Sequence, residues 1–144
     1  MRRQAVTLLG VGMLAAWSCS SIRPVAIQDG DQCFRCRRPI VERAMAAELV
    51  DGNLASKFRA PGCLAKYLAA HREETGAIFV TDYTTGKFVR PDRALFVPIV
   101  VNRDTGESDY RAFSNHVEAD AAARELHTSP IDWQAVIAEA RRAS

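Results

Sequence analysis

The chain has 144 residues, 48% hydrophobic and 25% charged, with 8 Gly and 6 Pro. That suits one compact domain of ordinary size, or two very small ones that share a core, and it excludes a long disordered, collagen-like or coiled-coil chain. The net charge of +2 comes from 19 basic and 17 acidic residues, and Arg2 and Arg3 supply that whole excess. A balanced body offers no electrostatic footprint for nucleic acid, so that partner class is set aside. The four cysteines are unevenly placed: Cys19, the close pair Cys33 and Cys36, and Cys63.

Met1-Arg2-Arg3 is a short basic start, Ala5 to Trp17 carries no charge, and Ser18-Cys19-Ser20 closes the run. A basic start, an apolar stretch too short to span a bilayer and a small residue before the break read as a secretory signal over 1–18. Ala16-Trp17-Ser18-Cys19 is similar to the lipobox of bacterial lipoproteins, in which the Cys becomes the lipid-bearing first residue; Ala16 and Trp17 depart from its commonest form. Acyl chains bury methylenes at ~0.8 kcal/mol each and so anchor a protein to a membrane. The expectation is an exported protein, lipid-anchored at Cys19 and facing the periplasm. Residues 19–32 then form a lipidated tether and 33–144 the folded body.

Within that body, Arg43 to Val50 is an apolar-rich run that stops at Asp51-Gly52. Asp-Gly between two such runs predicts a hairpin, because type I′ turns need positive φ. Asn53 to Phe58 is the return strand. Pro61 suits the first turn of a helix, whose stripe of Leu64, Tyr67, Leu68 and His71 falls at i, i+3, i+4 and i+7. Gly76 stops it, Ala77 to Val80 reads as a short buried strand, and Thr84-Thr85-Gly86 turns the chain out. Ala94 to Val101 is a strand in which Pro98 marks an edge or bulge. Asn102 to Glu107 turns, and Asp109 to Phe113 returns. A helix starts at Asn115, with Glu118 completing a capping box and Val117, Ala121, Ala122 and Leu126 facing inward; it ends near His127. Ser129 to Asp132 caps a last helix with the stripe Trp133, Val136, Ile137 and Ala140. Strand–strand–helix thus occurs twice, which predicts an α+β fold on a duplicated unit, with halves at about 40–90 and 91–144. Each half is too small for an independent core.

Cys33-Phe34-Arg35-Cys36 is a C-x-x-C pair, a spacing that lets two sulfurs converge on a soft metal or close into a small disulfide. Arg35, Arg37 and Arg38 favour thiolate, which is both the metal ligand and the nucleophile. A static disulfide and a redox dithiol are the alternatives. Cys63 falls in the first turn of its helix, where an anion is stabilised; an inert buried thiol is the other reading. His71 and His127 end helices, where an imidazole suits the dipole. His116 opens the second helix, near the counterpart of Cys63, and is the candidate fourth ligand. No Gly-x-Ser-x-Gly, His-Glu-x-x-His or phosphate-cradling loop is present, so no enzyme is expected.

A lipobox and C-x-x-C are followed by Phe58-Arg59-Ala60-Pro61-Gly62-Cys63-Leu64 and Ala77-Ile78-Phe79-Val80-Thr81-Asp82-Tyr83. Arg93-Ala94-Leu95-Phe96-Val97 and Arg111-Ala112-Phe113 come after. This layout, over roughly residues 19–137, resembles the NosL family, the accessory lipoproteins of nitrous oxide reductase. The resemblance implies a tandem ββαβ-like architecture shared with the organomercurial-lyase fold, with a C-terminal helix here. It also implies a periplasmic Cu(I) chaperone whose recipient is a copper protein, nitrous oxide reductase or its maturation machinery. Family members typically carry Cys-Gly-Met at the metal motif. The Cys matches Cys36, but Arg37 and Arg38 stand at the other two positions, and residues 102–108 lack the family's second Met. The expected site is therefore Cys33 with Cys36, a soft pair suited to Cu(I), helped by Cys63 or His116. Zinc is the alternative metal. The alternative function is a non-catalytic structural or docking lipoprotein with a Cys33–Cys36 disulfide or a zinc site.

Overall fold

Gly52 sits at φ +57° as the first residue of a Gly52-Asn53 turn, one position later than the expected Asp51-Gly52 turn, because Asp51 stays in the strand and pairs with Leu54. Across it, β1 (Ala47–Asp51) and β2 (Leu54–Phe58) pair antiparallel with Ala47 opposite Phe58. The computed structural model describes residues 21–144, so the signal read over 1–18 and Cys19 lie outside the described residues. β3 (Ala77–Thr81) lines the other edge of β1, and the two-residue β4 (Phe88–Val89) returns along β3, so the first sheet has the order β2-β1-β3-β4. β5 (Leu95–Asn102) and β6 (Glu107–Phe113) form a separate antiparallel hairpin with Leu95 opposite Phe113. The three helices are α1 (Pro61–Ala70), α2 (His116–Glu125) and the C-terminal α3 (Trp133–Arg142). The architecture is α+β with antiparallel sheets.

One core joins both sheets. Leu49, Phe58, Val80, Phe96 and Ala112 meet Leu64 of α1 and Val136 and Ile137 of α3. The period-two alternation sends Val97 and Phe113 to the opposite face, where α2 covers them with Ala119 and Ala123. β1 is buried on both faces because residues 25–40 cover its other side: Ile27 packs with Ile40 and Ala46, and Val25 N–H donates to buried Glu48 Oε2 at 2.8 Å. The second half of the segment expected as a tether therefore lies on the body.

Asp82 locks the two sheets together. Its Oδ1 accepts the Thr84 and Thr85 amides at 3.0 and 2.9 Å, and its Oδ2 accepts the Ser114 amide at 2.8 Å and the Ser114 hydroxyl. Tyr83 N–H donates to Ala112 O at 2.7 Å, so the end of β3 runs beside β6. In the second half, Ile131 exchanges both backbone hydrogen bonds with Phe96, each 2.8 Å. It lies beside β5 as β3 lies beside β1, but for a single residue.

Several sequence expectations shift. Arg43–Met45 is a 3-10 turn, so β1 starts only at Ala47, and β4 has no strong sequence signal in two residues. Pro98 does sit in an edge strand, and the bulge falls later, between Val100 and Asn102. Asn115 caps α2 by accepting the Val117 and Glu118 amides. The expected inward face of α2 is wrong, however: Val117 is 73% exposed and Leu126 44%, while Ala119 and Ala123 are buried. Methyl side chains let the helix lie close on a two-stranded sheet, a fit that a search for large apolar residues does not detect. His71 caps α1 as expected, its Nδ1 2.9 Å from Tyr67 O, and its ring stacks on Tyr67 instead of entering the core.

Candidate metal centre

Residues 31–40 fold into a small hairpin. Gln32 pairs with Pro39, Cys33 N–H donates to Arg38 O at 2.9 Å, and Arg37 N–H donates back to Cys33 O at 2.9 Å. Reversing the chain this tightly places Arg37 at φ +61°. Two ties hold the hairpin on the body: Phe34 N–H donates to Lys57 O at 2.7 Å, and the Phe34 ring meets Phe58 and Tyr67 edge-on. The result is that the C-x-x-C pair lies over the N-terminus of α1.

There it meets Cys63. The Cys33 and Cys63 sulfurs are 3.5 Å apart, those of Cys63 and Cys36 3.8 Å, and all three lie within 4.8 Å of one another. Three sulfurs about 2.3 Å from one ion stand ~3.8–4.0 Å apart, so the group is already close to a metal-bound arrangement. All three are free thiols. Cys33 and Cys63 are buried and Cys36 is half-buried, so Cys36 is the point of access from solvent. Of the residues expected at the site, the structure brings these three together. His116 is exposed at the first position of α2 and does not join them among the described residues.

The surroundings favour negative charge. Cys33 is pulled well below the ordinary thiol value, first by the Cys63 thiol, then by the Cys36 and Arg59 amides aimed at its sulfur, against the opposing effect of burial. Cys63 is pushed up, because it donates toward a charged sulfur and is itself buried. The Arg38 and Arg59 guanidinium groups both pair with Glu107, and the charge of Cys36 acts on each of them. Glu107, at the start of β6, thus holds two arginines against the accessible thiol. The sequence points to Arg35, Arg37 and Arg38 as neighbours, yet of those only Arg38 pairs with Glu107; Arg59 and Glu107 are placed by tertiary packing.

Asp109 is the other residue that sequence reasoning missed. α1 has no side-chain cap of its own, since Ala60 stands at that position. Buried Asp109 reaches across from β6, and its Oδ1 accepts Gly62 N–H at 2.7 Å and Tyr110 N–H at 2.8 Å. Burial pushes its carboxyl above the usual range despite those bonds. Residue 62 has to be small, because a Cβ there would stand 2.7 Å from Asp109 Oδ1. Cys63 is thereby positioned by an acid 46 residues further along the chain. Fold and centre together define an α+β protein with a three-thiol site able to hold a soft metal ion. No protein-family model, curated protein or solved structure matches the chain.

Proposed function

We propose that the protein is a non-catalytic, lipid-anchored periplasmic carrier that takes up Cu(I) and hands it to a copper protein, in the manner implied by its NosL-like layout. The observation that carries this reading is the trio of Cys33, Cys36 and Cys63, with one sulfur open to solvent. Soft thiolates select Cu(I), and three of them suit it, whereas a closed structural zinc site takes four ligands. The third thiol also compensates for the methionines that the motif lacks. Arg38 and Arg59, two positive charges against the one carboxylate of Glu107, offset the negative charge of a thiolate-bound monovalent ion. The order β6-β5-Ile131 beside β2-β1-β3 supports a tandem ββαβ origin with the last strand of the second unit worn down to one residue. Anchoring rests on Cys19; among the described residues no helix is long and apolar enough to cross a membrane.

A competition titration of the reduced protein with Cu(I) and Zn(II), using chromophoric chelators, tests the proposal. Tight one-to-one Cu(I) binding is expected, lost in the variant with Cys33→Ser and Cys36→Ser while circular dichroism of the body is unchanged. A clear preference for zinc would replace the carrier with a structural or docking module.

A further inference from the structure

The hairpin that carries the C-x-x-C pair has a second feature besides its sulfurs. Around the half-buried Cys36 it presents Phe34, 40% exposed, together with exposed Arg35 and Arg37. The four arginines near this sulfur divide into two kinds. Arg38 and Arg59 share the single carboxylate of Glu107, but Arg35 and Arg37 have no carboxylate partner among the described residues. Residues 1–20 contain no acid that could supply one. Arg37 is also held at φ +61°, a conformation that glycine adopts freely and a long side chain does not. Its guanidinium lies 5.6 Å from the centre of the Phe34 ring. The two are thus pre-ordered as an aromatic and cationic pair at the mouth of the site. A strained residue kept at a functional loop points to use of its side chain.

We propose that Phe34, Arg35 and Arg37 form the docking surface for the recipient, a protein whose metal-accepting thiol lies in an acidic patch. This rests on the carrier reading above and adds which face of the partner is recognised. Unpaired charge at the rim steers an acidic partner so that its thiol arrives beside Cys36, while the buried Cys33 and Cys63 keep hold of the ion. The exchange then proceeds without redox change: the incoming thiol gives up its proton and forms a Cu–S bond as the bond to Cys36 breaks. Cys36 takes up a proton, so protons and charge balance. Steering of this kind raises encounter rates by about tenfold or more and fades as salt rises.

The test uses two synthetic peptides with the same central Cys, one flanked by Asp and Glu and the other by Lys. Stopped-flow transfer of Cu(I) from the loaded full chain in detergent should be about tenfold faster to the acidic peptide at low ionic strength. That advantage should vanish at high salt and in the variant with Arg35→Ser and Arg37→Gly, whose Cu(I) affinity stays that of the parent. Equal rates for the two peptides, or an advantage that survives in the variant, would overturn the proposal. A second arm needs no metal: fluorescence anisotropy of the same peptides with Cys replaced by Ser, on the metal-free protein. Preference for the acidic peptide, lost in the variant, supports the docking surface even if the Cu(I) titration fails. Absence of that preference beside a successful titration removes the docking surface and leaves the carrier.

Discussion

Replacing Gly62 by Ala tests whether Asp109 holds the cysteine-bearing end of α1. The new Cβ would stand 2.7 Å from Asp109 Oδ1 and 3.0 Å from its Cγ. The carboxylate is fixed by the Gly62 and Tyr110 amides and by burial, so it does not swing aside freely. Overpacking of this kind costs about 1–3 kcal/mol, and alanine returns about 0.5–1 kcal/mol as the better helix former. Gly62→Ala alone should therefore lose up to about 2.5 kcal/mol of stability. Asp109→Ala strands the Gly62 amide and removes the one side-chain acceptor found at this helix start among the described residues, at about 1–3 kcal/mol. In that background the added methyl enters the vacated space. Gly62→Ala then becomes stabilising by about 0.5–1 kcal/mol, because only the helix preference remains. The sign of one substitution thus reverses with the state of the other residue. Urea unfolding of the parent, both single variants and the double variant, followed by far-ultraviolet circular dichroism, measures all four corners. A Gly62→Ala effect of the same sign in both backgrounds would refute the contact.

Alkylation of the folded, reduced protein should begin at Cys36, since Cys33 and Cys63 are buried, and one equivalent of Cu(I) should suppress it; peptide mass mapping that finds all three modified together would contradict the geometry. Asp82→Ala should cost about 2–4 kcal/mol by stranding the Thr84, Thr85 and Ser114 donors, read from urea midpoints. Burial opposes ionisation of Asp82, but the Ser114 hydroxyl and three amides hold its carboxyl below its ordinary value of 3.8. A depressed folded value gives stability that is present above 3.8 and lost as pH falls through the folded value. The parent should therefore weaken on that acid limb, and Asp82→Ala should flatten it; identical acid limbs would count against the lock. Cys19→Ala should release the protein from membranes into the soluble periplasmic fraction, and continued membrane association would dismiss the lipobox.

Local pattern carried much of the fold. Asp51-Gly52 marked its hairpin because Gly52 takes the positive φ at the first turn position; Asp51 stays in the strand and Asn53 has no positive φ, so the turn is not the type I′ that the dipeptide predicts. Asn115 and Asp132 announced two helix starts because their side chains satisfy amides within three residues. The Trp133, Val136, Ile137 and Ala140 stripe was legible because a broad apolar face repeats at the helical period. On α2 the same logic failed, since the buried residues are alanines chosen for close approach and not for size.

The site divides along the same line. C-x-x-C spacing and the place of Cys63 at a helix start are properties of neighbouring residues, so the sequence by itself named the three thiols and the chemistry they suit. Which of them share one centre was decided only in three dimensions, by the Phe34 tie to β2 and by the packing of that ring on Phe58 and Tyr67. The same holds for the charges around them. Glu107 with Arg38 and Arg59, and Asp109 with Gly62, pair residues 46 or more positions apart, and His116 is left out in solvent. Side chains so far apart in sequence leave no periodic signal, because their proximity is created by sheet register and helix packing.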